Sequence, residues 1–274
     1  NNYLFVDGRY TLQAYRQSGD NFKILSIPKH MPKHVLNKDL SIGFDPKLFT
    51  KKTLKILFSN NNCKFKPLNK NLVDKIWKRN LKKESQKFYT LPINSVGENY
   101  KSKIKKIFSY IKNKRADFLF LTASENNAWL LNIRGMDTEY SPIPHSYVLI
   151  GKDKSIKFFC NLKKVSFSLK RYLNKIEIND IKSTDKVLSQ IKKKKFIIDF
   201  NTCSYYFENI IRENNKILNY SDPVYYFKAI KNKIEIKNIK KAHLYDGVAI
   251  TKYLFWLKKN FYKKKITEIS ASKK

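Results

Sequence analysis

Residues 126–151, with the sequence NNAWLLNIRGMDTEYSPIPHSYVLIG, restrict the possible folds more than any other part of the chain. An apolar cluster comes first, and a lone arginine, Arg134, then stands directly before Gly135. The two prolines that follow force an extended turn, and residues 147–150 have the apolar pattern of a short strand. The segment therefore predicts a helix end, a turn and a strand inside an α/β domain.

Strand and helix patterns alternate on both sides of this segment. Over the first 77 residues this alternation points to a largely parallel sheet flanked by helices. A hairpin joining residues 147–150 to 156–160 is also predicted. The predicted strands are 3–6, 23–27, 41–44, 63–68, 118–122, 147–150, 156–160 and 196–200, and the predicted helices are 9–16, 51–58, 101–113 and 205–211. At Asp7-Gly8 a hairpin turn is the local alternative to a strand that feeds a helix.

The last third of the chain changes character at Ser221-Asp222-Pro223 and reads as one or two amphipathic helices. Apolar residues recur at three-to-four spacing between Ile239 and Phe261. His243 and Asp246 stand three residues apart there, as a solvated helical pair or a local interaction. We expect these helices to expose an apolar face and to promote aggregation or dimerisation through residues 239–257.

The formal net charge of +35 raises the question of a nucleic-acid partner. Only seven of the 57 basic residues are arginines, and the lysines are spread over the whole chain. Nucleic-acid surfaces favour arginine and concentrate charge on one face. The composition therefore indicates a coding bias, and we expect only weak, salt-sensitive, non-specific binding to nucleic acids.

The apolar runs, the first residues and the cysteines together predict a cytoplasmic protein that does not enter a membrane. No apolar run approaches the roughly 18 residues that a membrane span requires, and no targeting signal is visible in the first residues. Cys63, Cys160 and Cys203 are far apart and odd in number, which favours reduced thiols over a disulfide framework.

Five separated segments, in order, resemble the three-domain Xaa-Pro aminopeptidases of the creatinase and prolidase superfamily. They are FVDGRYTLQA (5–14), NLVDKIW (71–77), residues 126–151, the tract from KAIKN to WL (228–257) and TEISA (267–271). Lys273 departs from the acid that the family pattern usually has at its position. One such match would be weak, but five in family order cover nearly the whole chain.

The resemblance implies two creatinase N-terminal-like α/β domains with mixed sheets, followed by the opening helices of a pita-bread α+β domain. Residues 1–85 would be the latter part of the first domain, 86–222 the second, and 223–274 the truncated start of the third. The whole enzyme would be a homodimer that removes the first residue from peptides with proline in second position. It would use two divalent metals, typically manganese, whose ligands lie downstream of this chain.

No catalytic or metal-binding residues are predicted within the chain itself. We expect Arg134, Asp137 and His145 at the edge of the cleft, because a forked guanidinium near a tight turn suits a carboxylate or carbonyl; His145 alternatively caps a turn. His30 and His34 have zinc-pair spacing, but Pro28 and Pro32 disfavour a helix there. Neither a GxSxG elbow nor a phosphate loop is present.

Two other classes of function remain open. A non-enzymatic binding module built from creatinase-like domains would have the same sequence pattern without any metal domain. A basic nucleic-acid-binding protein is the less favoured alternative.

Overall fold

The computed structural model of the protein describes residues 2–59, 62–77, 86–263 and 265–273. Residues 2–77 contain two parallel strand pairs, each with a helix between its strands. They comprise β1 (Tyr3–Asp7), α1 (Thr11–Ser18), β2 (Lys23–Ile27), α2 (Pro32–Val35), β3 (Ser41–Phe44), α3 (Lys51–Phe58), β4 (Lys64–Pro67) and α4 (Leu72–Ile76). The predicted parallel pairing is confirmed, although the described strands form two small sheets and not one.

The turn after β1 decides between the two alternatives at Asp7-Gly8. The Asp7 carboxylate accepts a hydrogen bond from the backbone N–H of Arg9 at 2.9 Å, and this caps a 3-10 turn over Gly8–Tyr10. The strand therefore feeds α1, as the resemblance implied, and the hairpin alternative is wrong. Because the 3-10 turn comes first, α1 begins at Thr11 and not at the predicted residue 9.

A six-stranded mixed sheet forms the centre of the second half. Its strand order is β10-β9-β8-β6-β11-β12, and β8 runs antiparallel to both neighbours while the other pairs are parallel. The elements from 89 to 219 are β5 (Tyr89–Thr90), α5 (Ile93–Val96), α6 (Tyr100–Asn113), β6 (Phe118–Leu121), α7 (Ser124–Leu131), β7 (Ile133–Arg134), β8 (Ser146–Gly151), β9 (Ile156–Cys160), α8 (Phe167–Tyr172), β10 (Glu177–Asp180), α9 (Thr184–Gln190), β11 (Lys195–Ile198), α10 (Tyr205–Asn214) and β12 (Lys216–Asn219). The predicted hairpin is confirmed as β8 and β9.

Helices cover both faces of this sheet because its strands are apolar on both sides. Along β6, Leu119 and Leu121 join the cluster under α6, α7 and α8, whereas Phe120 joins the cluster under α9 and α10. Ile107 and Ile111, on one stripe of α6, are completely buried against the first face. Each such side chain contributes roughly 1.5–3 kcal/mol of burial free energy.

The N-terminal strand pairs contact this domain through α10. Backbone N–H groups of Tyr205 and Tyr206 donate to the carbonyls of Phe49 and Pro46 at 2.7 and 2.9 Å. The domain boundary predicted near residues 80–99 falls partly on 78–85, which lie outside the described residues. The three-part division at 85 and 222 therefore stays a prediction.

Three helices complete the described chain: α11 (Pro223–Ala229), α12 (Lys233–Asn260) and α13 (Glu268–Ser272). The predicted helical structure after residue 226 is confirmed by α12 and by the second half of α11, which begins earlier, at Pro223. No residue of α12 is buried, and most of its large apolar side chains between Ile239 and Phe255 are exposed. Among the described residues, no helix combines the length and apolar character that a bilayer crossing requires.

Candidate functional site

An open cleft of about 550 Å³ lies between the segment that follows β6 and the first turns of α12. Its walls come from α5, α7, β7, the turn before β8, and the helices α11 and α12. The lining residues are Leu91, Ser95, Val96, Glu125, Ala128, Trp129, Asn132, Arg134, Pro142, Ile143, Lys228, Lys231, Glu235, Asn238, Ile239 and Ala242. The segment that the sequence singled out thus forms one wall of a cleft.

Asn132 sets the geometry of that wall. It ends α7 in the left-handed conformation with φ of 55°, a backbone state that asparagine tolerates better than most residues. Its side-chain amide donates to the carbonyl of Glu98 at 2.8 Å and so ties the end of α7 to the start of α6. The chain therefore reverses at once into β7, which pairs with β5 and presents Arg134 to the cleft.

Arg134 is half-buried and has no acidic partner among the described residues. Its Nη1 donates to the backbone carbonyls of Ala128 and Ile133 at 3.1 and 2.9 Å. Burial lowers the pKa of the guanidinium from its ordinary value, although it stays charged at any physiological pH. The side chain is thus fixed by neutral groups, and no described carboxylate pairs with its charge.

Gly135 explains why the arginine is followed by glycine. A Cβ at this position would lie 2.7 Å from a Phe88 ring carbon and 3.0 Å from the Cα of Pro144. Since both neighbours are buried, neither has room to move away. The close approach of three segments behind Arg134 therefore requires glycine.

Asp137 and His145 lie on the turn beside the cleft and do not line it. The Asp137 carboxylate accepts from the backbone N–H of His145 at 2.7 Å and forms an ion pair with Lys164. The His145 ring is exposed and meets Tyr147 edge-on, with 5.6 Å between ring centroids. Of the predicted rim residues, only Arg134 lines the cleft; Asp137 closes the turn, and a role for it or His145 in binding stays a prediction.

Lys103 is a functional candidate that sequence reasoning missed. It is 1% exposed, and its Nζ donates to the Trp129 carbonyl at 2.8 Å and to Asn132 Oδ1 at 2.7 Å. The same Nζ lies 3.8 Å from the centre of the Trp129 ring, in cation–π contact. Burial lowers the pKa of Lys103 to about 8, while the nearby carboxylates of Glu235 and Glu98 oppose that shift. The sequence signal that could have identified Lys103 is its position four residues before Ile107, which places it on the buried stripe of α6.

The start of α12 is fastened to the other wall of the cleft by a capping box. Asn232 accepts from the N–H groups of Ile234 and Glu235, and Glu235 Oε2 accepts from the N–H of Asn232 at 2.9 Å. The second oxygen of Glu235 accepts from Trp129 Nε1 at 3.3 Å. The Asn232 amide also donates to the Val96 carbonyl at 2.8 Å. Trp129 therefore connects buried Lys103 to the first turn of α12.

The described residues contain no group of three or more His, Cys, Asp or Glu side chains that could hold a metal ion. His34 is used differently, because its ring accepts from the backbone N–H of Met31 at 3.3 Å at the start of α2. His30 lies before that helix, so the two rings do not share a helical face. A two-metal centre does not fit the residues that this structure describes.

The fold and the family comparison together define the class of the protein. A mixed six-stranded sheet with helices on both faces is an α/β domain, and the family model of the Creatinase/Prolidase N-terminal domain matches residues 79–235. The chain belongs to this creatinase and prolidase N-terminal domain family.

Within that class, the similar proteins are Xaa-Pro aminopeptidases. An Xaa-Pro aminopeptidase of Drosophila melanogaster is 29% identical over 99% of this chain and 47% of its own length. Xaa-Pro aminopeptidase 1 of Dictyostelium discoideum is 30% identical over 96% of the chain and 45% of its own length. The chain thus spans about half the length of the curated relatives it matches.

A solved structure extends the similarity to three dimensions. The X-prolyl aminopeptidase of Caenorhabditis elegans, described as a cytosolic enzyme with a di-nuclear active site, superposes with a TM-score of 0.83 at 26% identity. The superposition covers 98% of this chain and 47% of that enzyme. The similarity in three dimensions therefore extends over nearly the whole chain.

Proposed function

We propose that the full-length protein is an Xaa-Pro aminopeptidase and that this chain supplies α/β domains that do not carry its metal centre. The enzyme would release the first residue from peptides with proline in second position. The observation that supports this proposal most is the share of the chain that the relatives match. Two aminopeptidase relatives match 96–99% of the chain, which is more than the creatinase-type domain alone. A binding module that had only borrowed that domain would not need the N-terminal strand pairs and α12 as well.

The metal centre belongs to this proposal, with residues outside the described chain as its ligands. When bound, two divalent ions, manganese being our candidate, would supply the activated water for hydrolysis. Within this chain, the capping box at Asn232 would fix the direction in which α12 leaves the cleft. The cleft wall around Trp129 and Arg134 would shape access for the peptide, with Asp137 and His145 as further candidates for its edge.

The proposal includes the oligomeric state and the cellular location of the enzyme. A homodimer in the cytoplasm would agree with the exposed apolar side chains of α12 and with the cytosolic relative from C. elegans. Binding of nucleic acid would be non-specific.

The test compares the full-length protein with the 274-residue chain. With manganese supplied, the full-length protein should release the first residue of an Xaa-Pro peptide, and a chelator should abolish this release. The chain alone should release none under the same conditions. A native stop codon directly after residue 274 would contradict the proposal and favour the non-enzymatic module. Hydrolysis of the peptide by the chain alone would also contradict the proposal.

A further inference from the structure

Arg134 combines three features that suit an arginine for binding a ligand. It lines a cleft, it has no acidic partner among the described residues, and part of its donor set is unused. A guanidinium has five N–H donors. Nη1 is occupied by the carbonyls of Ala128 and Ile133, whereas Nε and Nη2 have no hydrogen-bond partner within the described chain. One edge of the guanidinium plane is thus available for a bidentate acceptor.

The other charged groups of the cleft do not neutralise Arg134. Glu235 uses its two carboxylate oxygens on Trp129 and Asn232, and Glu125 accepts from the Tyr225 hydroxyl at 2.8 Å. Lys103 lies beneath the Trp129 ring and adds a second positive charge close to the guanidinium. The floor of the cleft therefore favours an anion.

The walls restrict what that anion is attached to. Leu91, Val96, Ala128, Ile143 and Ile239 line the cleft together with the Trp129 ring, so its sides are largely apolar. A volume of about 550 Å³ lies within the roughly 300–1,000 Å³ typical of small-molecule sites. A planar carboxylate on a short apolar body matches the fork of Arg134 better than a phosphate-rich polyanion, because the two lysines that also line the cleft, Lys228 and Lys231, already donate to Asn126 Oδ1 and to the Lys228 carbonyl.

The geometry points to Arg134 as the anchor for the free C-terminal carboxylate of a short peptide. Such an anchor would make the enzyme selective for small free-acid peptides, and this inference rests on the proposed function. The carboxylate accepts from Nε and Nη2, and the residues before it lie against Trp129 and the apolar wall. Asp137 takes no part, because its carboxylate is engaged by Lys164 and by the His145 backbone. The distinguishing property is therefore a preference for a peptide acid over the matching amide.

The experiment measures both binding and turnover of Ala-Pro-Ala and its C-terminal amide by the full-length protein. Calorimetry with a chelator present reports binding without turnover, and steady-state assays with manganese report KM and kcat. Wild type should bind the acid roughly 10- to 100-fold more tightly than the amide, as expected for a charge-assisted pair. Arg134→Gln should remove this preference through KM with little change in kcat, and Arg134→Lys should restore part of it.

The matched control is Arg115→Gln, which removes the same charge from an exposed arginine that does not line the cleft. This variant should keep the preference for the acid. Equal affinity of wild type for acid and amide would overturn the inference whether or not any variant folds. Equal loss for both ligands in Arg134→Gln would also overturn it, since the arginine would then only hold the wall in shape. Acid-selective binding without hydrolysis of the proline peptide would instead refute the proposed function alone.

Discussion

At the scale of single residues, the cleft is built on two cations held by neutral groups. Lys103 donates to a carbonyl and an amide oxygen, and Arg134 donates to two carbonyls. Carbonyl dipoles solvate a buried charge less completely than water, so each cation is held at some cost in folding free energy. Such a cost is commonly retained where a charge serves a ligand.

The Lys103 ammonium makes stability depend on pH in a defined direction. Because its pKa is about 8 in the folded protein and 10.5 as an ordinary value, the unfolded chain binds more protons between these limits. The free energy of unfolding should therefore gain a contribution as pH rises from 8 to 10, up to about 3 kcal/mol from this group.

The measurement is urea unfolding of wild type and Lys103→Met at pH 7.5 and pH 10. Tyrosines titrate in the same range in both proteins, so the difference between the two proteins isolates the lysine. Wild type should gain stability relative to Lys103→Met at the higher pH. Parallel changes in the two proteins would show that Lys103 titrates normally.

At the scale of elements, the first turn of α12 determines where the long helix points. Asn232 both caps the helix and reaches the Val96 carbonyl, and Gly97 leaves room for it: a Cβ there would lie 2.3 Å from Asn232 Oδ1. Gly97 also has φ of 70°, which favours glycine. The end of α5 and the start of α12 are therefore shaped to fit each other.

Replacing Asn232 with alanine should destabilise this junction. We expect a loss of roughly 1 kcal/mol for the cap, together with faster amide hydrogen exchange in the first turn of α12. Asn260→Ala is the control, since the Asn260 amide donates to the carbonyl of Trp256 in its own helix and lies at the opposite end of α12. Unchanged exchange at the first turn in Asn232→Ala would mean that this cap does not stabilise the start of α12.

The elements also show how far sequence alone could go. The helix over 101–113 and the strands over 118–122 and 156–160 were predictable because their apolar residues have a clear period or form a buried run. Helix α7 was predicted only as a helix end: it buries residues on several sides, including the polar Asn126 and Asn127, and has no apolar stripe. The short strands β10 and β12 lie at the sheet edges and carry too few apolar residues to signal a strand.

The site was predictable only in part, because some of its contacts join residues that are far apart in the sequence. Arg134 was conspicuous as a rare arginine beside glycine, and it does line the cleft. Lys103 was hard to single out among many lysines: its place on the buried stripe of α6 marks it as a candidate for burial, but not as a lysine that lies beneath a tryptophan. The position of Asp137 depended on Lys164, a partner 27 residues away in the chain.

At the scale of the whole molecule, α12 presents an apolar surface to solvent. Leu244 is 67% exposed and Phe255 69% exposed, values unusual for large apolar side chains that cluster on one helix. We expect the 274-residue chain to self-associate through this helix as its concentration rises.

Sedimentation velocity over a range of concentrations measures this association. The double variant Leu244→Lys/Phe255→Lys should remain monomeric. Ile76→Lys, which alters a side chain 84% exposed on α4, should associate like wild type. A wild-type chain that stays monomeric at high concentration would show that the exposed face of α12 is tolerated in water.

We propose that these α/β domains belong to an enzyme that recognises proline in the second position. The most direct test is mass spectrometry of the products that the full-length protein forms from Ala-Pro-Ala and from Ala-Ala-Ala with divalent metal supplied. We expect release of the first alanine from the proline peptide and almost none from Ala-Ala-Ala. Equal release from both peptides, or none from the proline peptide, would contradict it.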